Sequence, residues 1–193
     1  AHYDLGNDFF KLWLDDTLTY SAGIFESPET TMRAASIAKL DRICRKLRLS
    51  HEHHVLEIGA GWGSFALHAA REYGCRVTTT TISRRQFELA RERIAEARLQ
   101  DRITLLLEDY RDLTGEYDCV VSIEMIEAVG HQFYDTYFRK ISDLLAPAGQ
   151  AWLCGGNTNI SGAKNFIGPK NAAPLVFKTT PSGGHPTERM RIT

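Results

Sequence analysis

The 193-residue sequence lacks the cysteine spacing of a zinc site or redox pair, and it lacks long apolar runs. No stretch approaches the ~18 apolar residues that cross a bilayer, and no signal peptide is visible. The cysteines show no CxxC spacing, and each stands in an apolar or strand-like stretch: Cys44, Cys75, Cys119 and Cys154. This predicts reduced core thiols in a cytoplasmic protein rather than a disulfide scaffold.

The sequence also lacks an excess of either charge. Its formal net charge is -1, with 43% hydrophobic and 24% charged residues, which is typical of a soluble globular domain and predicts no nucleic-acid partner. A histidine cluster at 51–54 has no Cys or acid at ligand spacing, so it indicates a solvated turn and no metal site. The chain begins at Ala1 rather than Met, which is compatible with a missing N-terminal part.

Between residues 50 and 154, apolar runs alternate with segments of helical period. The runs are HVLEIGA, CRVTTTTIS, RITLLLED, YDCVVSIEM and QAWLC. This alternation predicts an α/β fold, a parallel sheet with crossover helices over 86–98 and 133–145. An earlier helix is expected to start at Ser27-Pro28. We therefore divide the chain into a helical cap (1–49), a core (50–154) and an irregular tail (155–193) with APLVFKTT as its candidate strand.

The glycine turn in VLEIGAGWGSF lacks two features of a dinucleotide-binding turn. Such a turn has the pattern G-x-G-x-x-G and an acidic residue about 20 residues later that binds the ribose. Gly59 and Gly61 fit the pattern, but Ser64 takes the third glycine position and Gly63 comes one residue early. No Asp or Glu occurs in 73–87. Both departures disfavour NAD.

The pattern Glu57-x-Gly59-x-Gly61-x-Gly63 is instead similar to the motif of S-adenosylmethionine-dependent methyltransferases. Glycines let the backbone approach a ligand closely, and a carboxylate at the strand end can pair with a cationic ligand or hold the loop. The alternative is a tight strand-to-helix turn without a ligand. The position of the turn after the first predicted strand favours S-adenosylmethionine.

Seven motifs in order make the resemblance narrower. They are HYDLGNDFF (2–10), YSAGIF (20–25), the glycine turn, TISRRQ (81–86), EDYRDL (108–113), IEMIEAVGH (123–131) and YDTYF (134–138). Residues 1 to about 149 resemble the cyclopropane fatty acid synthase family, which includes the mycolic acid cyclopropane synthases. The resemblance implies a Rossmann-like methyltransferase fold. It also implies methyl transfer from S-adenosylmethionine to the cis double bond of an unsaturated phospholipid acyl chain, with proton loss closing a cyclopropane ring.

The resemblance implies a set of cofactor-binding residues. They comprise two cap residues, the acid and glycines of the turn, the polar residues after the second strand, and a pair beside the adenine: Tyr20, Ser21, Glu57, Gly59, Gly61, Gly63, Thr81, Ser83, Gln86, Asp109 and Tyr110. Because the ribose carboxylate is missing, the polar side chains at 81–86 are expected to replace it.

The resemblance also implies a catalytic site around Glu127, whose family counterpart anchors a bicarbonate ion that acts as the base. The alternative role for Glu127 is an acid at a helix start, stabilised by the helix dipole. Two positions of this site depart from the family, because Ala22 replaces a cysteine and Cys154 replaces a histidine. The family's two final strands are expected to be missing or replaced, as after a truncation or frame change near Gly149.

A basic side is predicted on the helix at 30–49, where six cations occur: Arg33, Lys39, Arg42, Arg45, Lys46 and Arg48. This side is either a solvated face or a peripheral contact with an anionic membrane surface. A homodimer is compatible with the sequence. Two functional alternatives stay open, namely methylation that gives a methyl-branched lipid or small molecule, and a non-catalytic remnant.

Overall fold

The computed structural model describes the backbone of residues 6–154, 166–167, 175–179 and 187–192, with side chains at 6–151. The helices are α1 (Asn7–Lys11), α2 (Met32–Lys46), α3 (Ser64–Tyr73), α4 (Arg84–Glu96), α5 (Ile126–Val129) and α6 (Tyr134–Leu144). The strands are β1 (His54–Ile58), β2 (Arg76–Thr80), β3 (Ile103–Leu106), β4 (Tyr117–Ile123), β5 (Leu145–Cys154), β6 (Phe166–Ile167), β7 (Leu175–Thr179) and β8 (Thr187–Ile192).

The main sheet has the strand order β3-β2-β1-β4-β5-β6. Its first five strands are parallel, which confirms the predicted α/β fold, and β6 runs antiparallel to β5. The chain builds the sheet in one direction from β1 to β3 and in the other from β4 to β5. This reversal leaves a crevice at the carboxyl ends of β1 and β4, where ligands bind in open α/β sheets.

The helices cover both faces of the sheet because successive residues of each strand point to opposite sides. Val55 packs in a core cluster with residues of α2 and α3, such as Ile43 and Phe65. Its neighbour Leu56 packs in a second cluster with residues of α6, such as Ile141. Both core clusters therefore fix β1 in place, and β1 leads directly into the glycine turn.

The start of α2 differs from the prediction. Thr31 is the N-cap, and its hydroxyl accepts a hydrogen bond from the Ala34 amide at 3.2 Å. Ser27 and Thr30 instead form a separate turn, in which the Ser27 amide donates to Thr30 Oγ1 at 3.0 Å. The predicted start at Ser27-Pro28 is wrong because this turn uses those polar groups four residues before the true cap.

The described cysteine side chains lie in the core, as predicted. Cys44, Cys75 and Cys119 are buried and free. Burial raises the pKa of Cys75 to about 11 and that of Cys119 to about 12, so these thiols stay protonated near neutral pH. The Cys154 side chain lies outside the described residues.

The tail contains more strand than the sequence indicates. The candidate strand in APLVFKTT is present as β7, and it pairs antiparallel with β8 in a second sheet of two strands. The sequence of β8, TERMRI, carries three charged residues and does not predict a strand by itself. Its backbone register places Lys178 opposite Glu188. Apart from β6, the rest of the predicted irregular tail lies outside the described residues.

Candidate functional site

A cavity of about 630 Å³ opens at the carboxyl ends of the parallel strands. Its sheet wall consists of residues after four strands: 57–62 with 64–65, 80–83, 108–111 and 123–125. Its cap wall consists mainly of residues 18–21, and residues 128–136 contribute to its edge. This volume is within the range of small-molecule and cofactor sites, and its position is the crevice expected at the reversal of strand order.

The glycine turn has a backbone that only glycine adopts easily. Gly59, Gly61 and Gly63 have φ values of +97°, +51° and +83°. Gly59 and Gly61 line the cavity, and a Cβ added at Gly61 would meet nothing within 4 Å. Gly63 is the left-handed N-cap of α3 and lies outside the cavity lining. Two of the three predicted glycines therefore line the cavity, and the third turns the chain into α3.

Glu57 lies at the bottom of the cavity and is only 3% exposed. Thr79, its neighbour in the β1–β2 ladder, donates a hydrogen bond from Oγ1 to Glu57 Oε2 at 2.6 Å. Burial raises the pKa of Glu57 to about 8, although hydrogen bonds from Thr79 and from the Ala66 backbone oppose this effect. A ligand cation beside Glu57 would favour the ionised carboxylate. Pairing with a cationic ligand is the role that the sequence predicts for this acid.

The polar residues after β2 form a hydrogen-bonded group without a carboxylate. Thr81 Oγ1 donates to Gln86 Oε1 at 3.0 Å and accepts from the Ser83 amide at 3.1 Å. The Ser83 hydroxyl is also the N-cap of α4. All three predicted residues line the cavity. Their hydroxyl and amide groups can bind ribose-like hydroxyls in place of the missing acid.

The segment after β3 combines an ion pair with an aromatic ring. Arg111 donates to both carboxylate oxygens of Asp109 at 2.9 and 2.7 Å. This pairing lowers the pKa of Asp109, so its carboxylate stays charged. The Tyr110 ring packs edge-on against Tyr137 with a centroid distance of 5.3 Å. Asp109 and Tyr110 both line the cavity and give it a flat apolar surface beside a fixed polar edge, and their place beside an adenine stays a prediction.

Tyr20 and Ser21, the two cofactor contacts predicted in the cap, line the cavity from the cap wall. The Tyr20 ring contacts Phe10 and Trp13, each at a centroid distance of 5.3 Å. Ser21 Oγ accepts a hydrogen bond from the buried Lys39 side chain. Aromatic packing on one side and a cation on the other thus hold these two residues.

Half of the six cations on the predicted basic side of α2 have partners within the protein. Lys39 is only 5% exposed and points to the cap. Arg33 pairs with Asp16 at 3.0 Å, and Arg45 pairs with Asp41 at 2.9 Å. The sequence pattern of the helix cannot show the first of these pairs because Asp16 lies in a different segment. Arg33 and Arg45 remain more than half exposed in these pairs, and the contact of this side with a membrane stays a prediction.

The three predicted catalytic positions are at different depths. Glu127 is in the first turn of α5, exposed and outside the cavity lining. Burial, with smaller contributions that include the charge of Glu127, raises the pKa of Tyr137 to about 12. The amide of Ala22 donates to Glu124 Oε1 at 2.8 Å. Cys154 ends β5 opposite Ile123, and its side chain is not among those described.

Sequence reasoning missed two residues at this site. Glu124 follows β4 directly, lines the cavity and reaches the cap through Ala22. Trp62 is 1% exposed, and its Nε1 donates to Asn7 Oδ1 at 2.8 Å, which ties α1 to the glycine turn. A polar residue directly after a predicted strand was the available signal for Glu124. Across the described part of the chain, no group of three or more His, Cys, Asp or Glu residues could hold a metal ion.

Comparison with curated proteins gives two informative relatives. The chain is 43% identical over 156 residues to tuberculostearic acid methyltransferase UfaA1 of Mycobacterium tuberculosis, which covers 77% of this chain and 36% of that protein. It is 42% identical over 148 residues to cyclopropane-fatty-acyl-phospholipid synthase of Escherichia coli K12, with 77% and 37% covered. The matched region is thus little more than a third of each relative.

Comparison with solved structures gives the same family. The cyclopropane synthase MmaA2 from Mycobacterium tuberculosis superposes with a TM-score of 0.75 at 34% identity, covering 78% of this chain and 53% of that one. Mycolic acid cyclopropane synthase CmaA1, solved in complex with SAH and CTAB, gives the same four values. S-adenosylmethionine is the cofactor of this family. The family model for mycolic acid cyclopropane synthetase matches residues 1–169, and the chain therefore belongs to that family.

Proposed function

We propose that this chain is the cofactor-binding part of an enzyme that transfers a methyl group from S-adenosylmethionine to the cis double bond of an unsaturated phospholipid acyl chain, closing a cyclopropane ring. One observation carries the proposal: a single cavity joins the glycine turn to an apolar opening. Glu57, Gly59 and Gly61 lie on its sheet side, whereas Ile82 and Phe133 lie at its exposed edge. A polar cofactor and an acyl chain can therefore meet in one space.

The residues of the cavity fit the cofactor. Gly61 leaves room for close approach of a ligand, and Glu57 supplies a carboxylate for a cationic amino group. Thr81 and Gln86 provide hydroxyl and amide groups for ribose, and Tyr110 provides a ring face for a base. When bound, the cofactor supplies an electrophilic methyl group on a sulfonium, which the alkene attacks without prior activation of a nucleophile.

The chain must then stabilise positive charge on the acyl chain and exclude water. Tyr20, Tyr110 and Phe133 line the cavity with aromatic rings. A ring face over a cation contributes about 0.5–2 kcal/mol, depending on desolvation. With the cofactor bound, methyl transfer would leave a positive charge on the acyl chain, and ring closure would require loss of one proton from it. The aromatic lining therefore serves the cationic stage, and a base must complete the reaction.

We propose that Glu127 contributes to the site of proton loss, with positions Ala22 and Cys154 as its surroundings. The described residues do not form an enclosed bicarbonate site, because Glu127 is exposed and Ala22 bonds to Glu124. Ala22→Cys and Cys154→His, added to a chain extended with the C-terminal part of a family member, are expected to raise turnover above that of the same extended chain without these substitutions. Equal turnover without them would contradict these positions.

A methyl-branched product is the second candidate. It is favoured by the 43% identity to a protein named tuberculostearic acid methyltransferase, beside 42% to a cyclopropane synthase. Both reactions begin with the same methyl transfer and differ in which proton leaves and in the later fate of the product. The cation that forms on the acyl chain is common to both reactions. The same cofactor-binding residues can therefore serve either product.

We also propose peripheral membrane contact, through α1, the exposed apolar residues that follow it, and the cavity edge. The large apolar side chains that are exposed in the described region all lie in the cap or beside the cavity: Phe9, Leu12, Trp13, Tyr20, Phe25, Met32, Ile82 and Phe133. Exposed cations accompany them at Lys11, Arg84 and Arg85. No described helix is long and apolar enough to cross a bilayer. Aromatic and basic residues together fit the surface of an anionic bilayer.

Vesicle sedimentation tests this contact. Leu12→Asp is expected to reduce binding to anionic vesicles, because it places a charge on an exposed apolar position, and high salt is expected to weaken binding by the wild type. Gln100→Asp, beyond the far end of α4, is the matched control and should bind as wild type. Equal binding to neutral and anionic vesicles would contradict the proposal.

Product analysis tests the reaction. Unsaturated phospholipid vesicles are incubated with S-adenosylmethionine and the chain, alone and extended with the C-terminal part of a family member. The expected result is a gain of one methylene per acyl chain by mass spectrometry, with cyclopropane ring protons in the NMR spectrum. Methylene gain without ring protons supports the methyl-branched or methylene product. A folded chain that binds NAD but not S-adenosylhomocysteine would overturn the proposal.

A further inference from the structure

Backbone strain in the described residues is concentrated at the cavity. Four non-glycine residues have positive φ values: Leu18 at +54°, Arg48 at +52°, Arg98 at +57° and Glu124 at +48°. Arg48 and Arg98 directly follow the C-caps of α2 and α4, where a left-handed residue is the ordinary end of a helix. Leu18 and Glu124 have no such explanation, and both line the cavity. Strain of this kind persists where a function requires the geometry.

The side chain of Glu124 shows what this geometry achieves. Its Oε1 accepts a hydrogen bond at 2.8 Å from the amide of Ala22, a residue 102 positions earlier in the chain. Two other carboxylates of the cavity, those of Glu57 and Asp109, bond within the sheet wall. Glu124 instead crosses from the sheet wall to the cap wall. The positive φ of Glu124 places its carboxylate within hydrogen-bond distance of the Ala22 amide.

Glu124 also links the cap to β4 by a hydrogen bond. Other hydrogen bonds between residues 6–30 and the core reach Trp62, Ser64, Arg85 and Arg93. Those partners belong to the glycine turn, the start of α3, and α4. Glu124 lies after β4, on the neighbouring side of the crevice. Glu124 therefore holds the segment Tyr20–Ala22 from the β4 side, in addition to the Lys39 side chain that donates to Ser21.

We propose that Glu124 is a positioning residue that holds Tyr20–Ala22 over the cofactor, in exchange for a strained backbone at the end of β4. The inference rests on the proposed binding of S-adenosylmethionine. It assigns Glu124 to cofactor retention and not to folding stability. Replacing Glu124 by glycine relieves the strain and removes the carboxylate. The affinity for the cofactor should therefore fall, while the stability of the fold should not.

The test is Glu124→Gly in the 193-residue chain, with the affinity for S-adenosylhomocysteine and the melting temperature measured on the same samples. The affinity should fall by roughly ten-fold or more, because a hydrogen bond to a charged group is lost. The melting temperature should rise or stay unchanged. Wild-type affinity in this variant, or a melting temperature that falls together with the affinity, would overturn the proposal.

Two matched variants isolate the role of the carboxylate. Arg98→Gly removes comparable strain at an exposed helix end and should keep wild-type affinity. Glu124→Gln keeps an oxygen that accepts from the Ala22 amide and should stay much closer to wild type than Glu124→Gly. Affinity as low in Glu124→Gln as in Glu124→Gly would contradict positioning through this hydrogen bond.

Hydrogen exchange at the Ala22 amide separates this inference from the proposed function. In the absence of cofactor, exchange should accelerate in Glu124→Gly and remain slow in Arg98→Gly and Glu124→Gln. If the folded wild type fails to bind S-adenosylhomocysteine, the proposed function fails, and the exchange result still decides whether Glu124 holds the segment. Unchanged exchange in Glu124→Gly would refute the contact itself.

Discussion

The sheet wall and the cap wall of the cavity are built in different ways. The sheet wall consists of short segments that follow β1 to β4, and both large core clusters support it. The cap wall depends on the five-residue α1 and on a small cluster of Phe10, Leu18 and Trp62. Regions with few buried apolar contacts open more readily than the core. A cofactor site can therefore keep a rigid base and still admit its ligand through the cap.

Gly61→Val should give the largest effect on binding, because it adds a side chain to the part of the sheet wall where the cofactor is proposed to bind. The space beside Gly61 is empty and its φ is +51°, so the valine side chain would enter the cavity at a modest strain of about 1–2 kcal/mol. Binding of S-adenosylhomocysteine should become undetectable by titration calorimetry, while the chain stays folded. Gly74→Ala, at φ +69° after α3 and outside the cavity, should bind normally. Tight binding by Gly61→Val would mean that the ligand lies elsewhere.

Phe10→Ala should release the cap while the sheet stays folded. Phe10 is 1% exposed and packs against Trp62 with a centroid distance of 4.9 Å. Its truncation should destabilise the cap by about 3–5 kcal/mol, as for other buried Phe→Ala changes. Hydrogen exchange should show faster exchange at cap amides and unchanged protection in β1 and β4. The control is Leu12→Ala, at an 81% exposed position. Global unfolding by Phe10→Ala would show that the walls are not independent.

Glu57→Gln tests the charge at the bottom of the sheet wall. Because burial raises the pKa of Glu57 from 4.5 to about 8, the folded state holds a proton that the unfolded state has released. Stability from this group should therefore fall as pH rises between about 4.5 and 8, and be level outside that window. Glu57→Gln should remove this slope and stabilise the protein by up to about 3 kcal/mol at pH 7. Urea denaturation at pH 5, 7 and 8.5 measures it; an unchanged slope would show that Glu57 is ionised in the fold.

Arg33→Ala should give the smallest effect. Arg33 and Asp16 form an ion pair at 3.0 Å, but their side chains are 59% and 69% exposed. Exposed pairs contribute less than about 1 kcal/mol, so urea denaturation should detect a loss below about 0.5 kcal/mol. Cap amides should keep their protection. Release of the cap by Arg33→Ala would show that surface charge, rather than the Phe10 cluster, holds the cap wall.

The sequence by itself determined the order of the five parallel strands, and it indicated residues after those strands that line the cavity. Apolar periodicity and a glycine turn are local properties, so Gly59 could be assigned before the sheet was known, whereas Thr81 and Asp109 came from ordered motifs shared with a family. The start of α2 could not be assigned, because Ser27 and Thr31 are both plausible caps until their hydrogen bonds are seen.

Only the tertiary structure decided which distant residues meet. The burial of Lys39 under the cap, the pairing of Arg33 with Asp16, and the contact of Glu124 with Ala22 all join segments that no local pattern relates. The same is true of the high pKa of Glu57, which depends on burial of its carboxyl group in the fold. Local sequence patterns specify helices and strands because neighbouring residues share one backbone geometry. The ionisation of a side chain, its backbone strain and its exposure to solvent depend instead on how those helices and strands pack together.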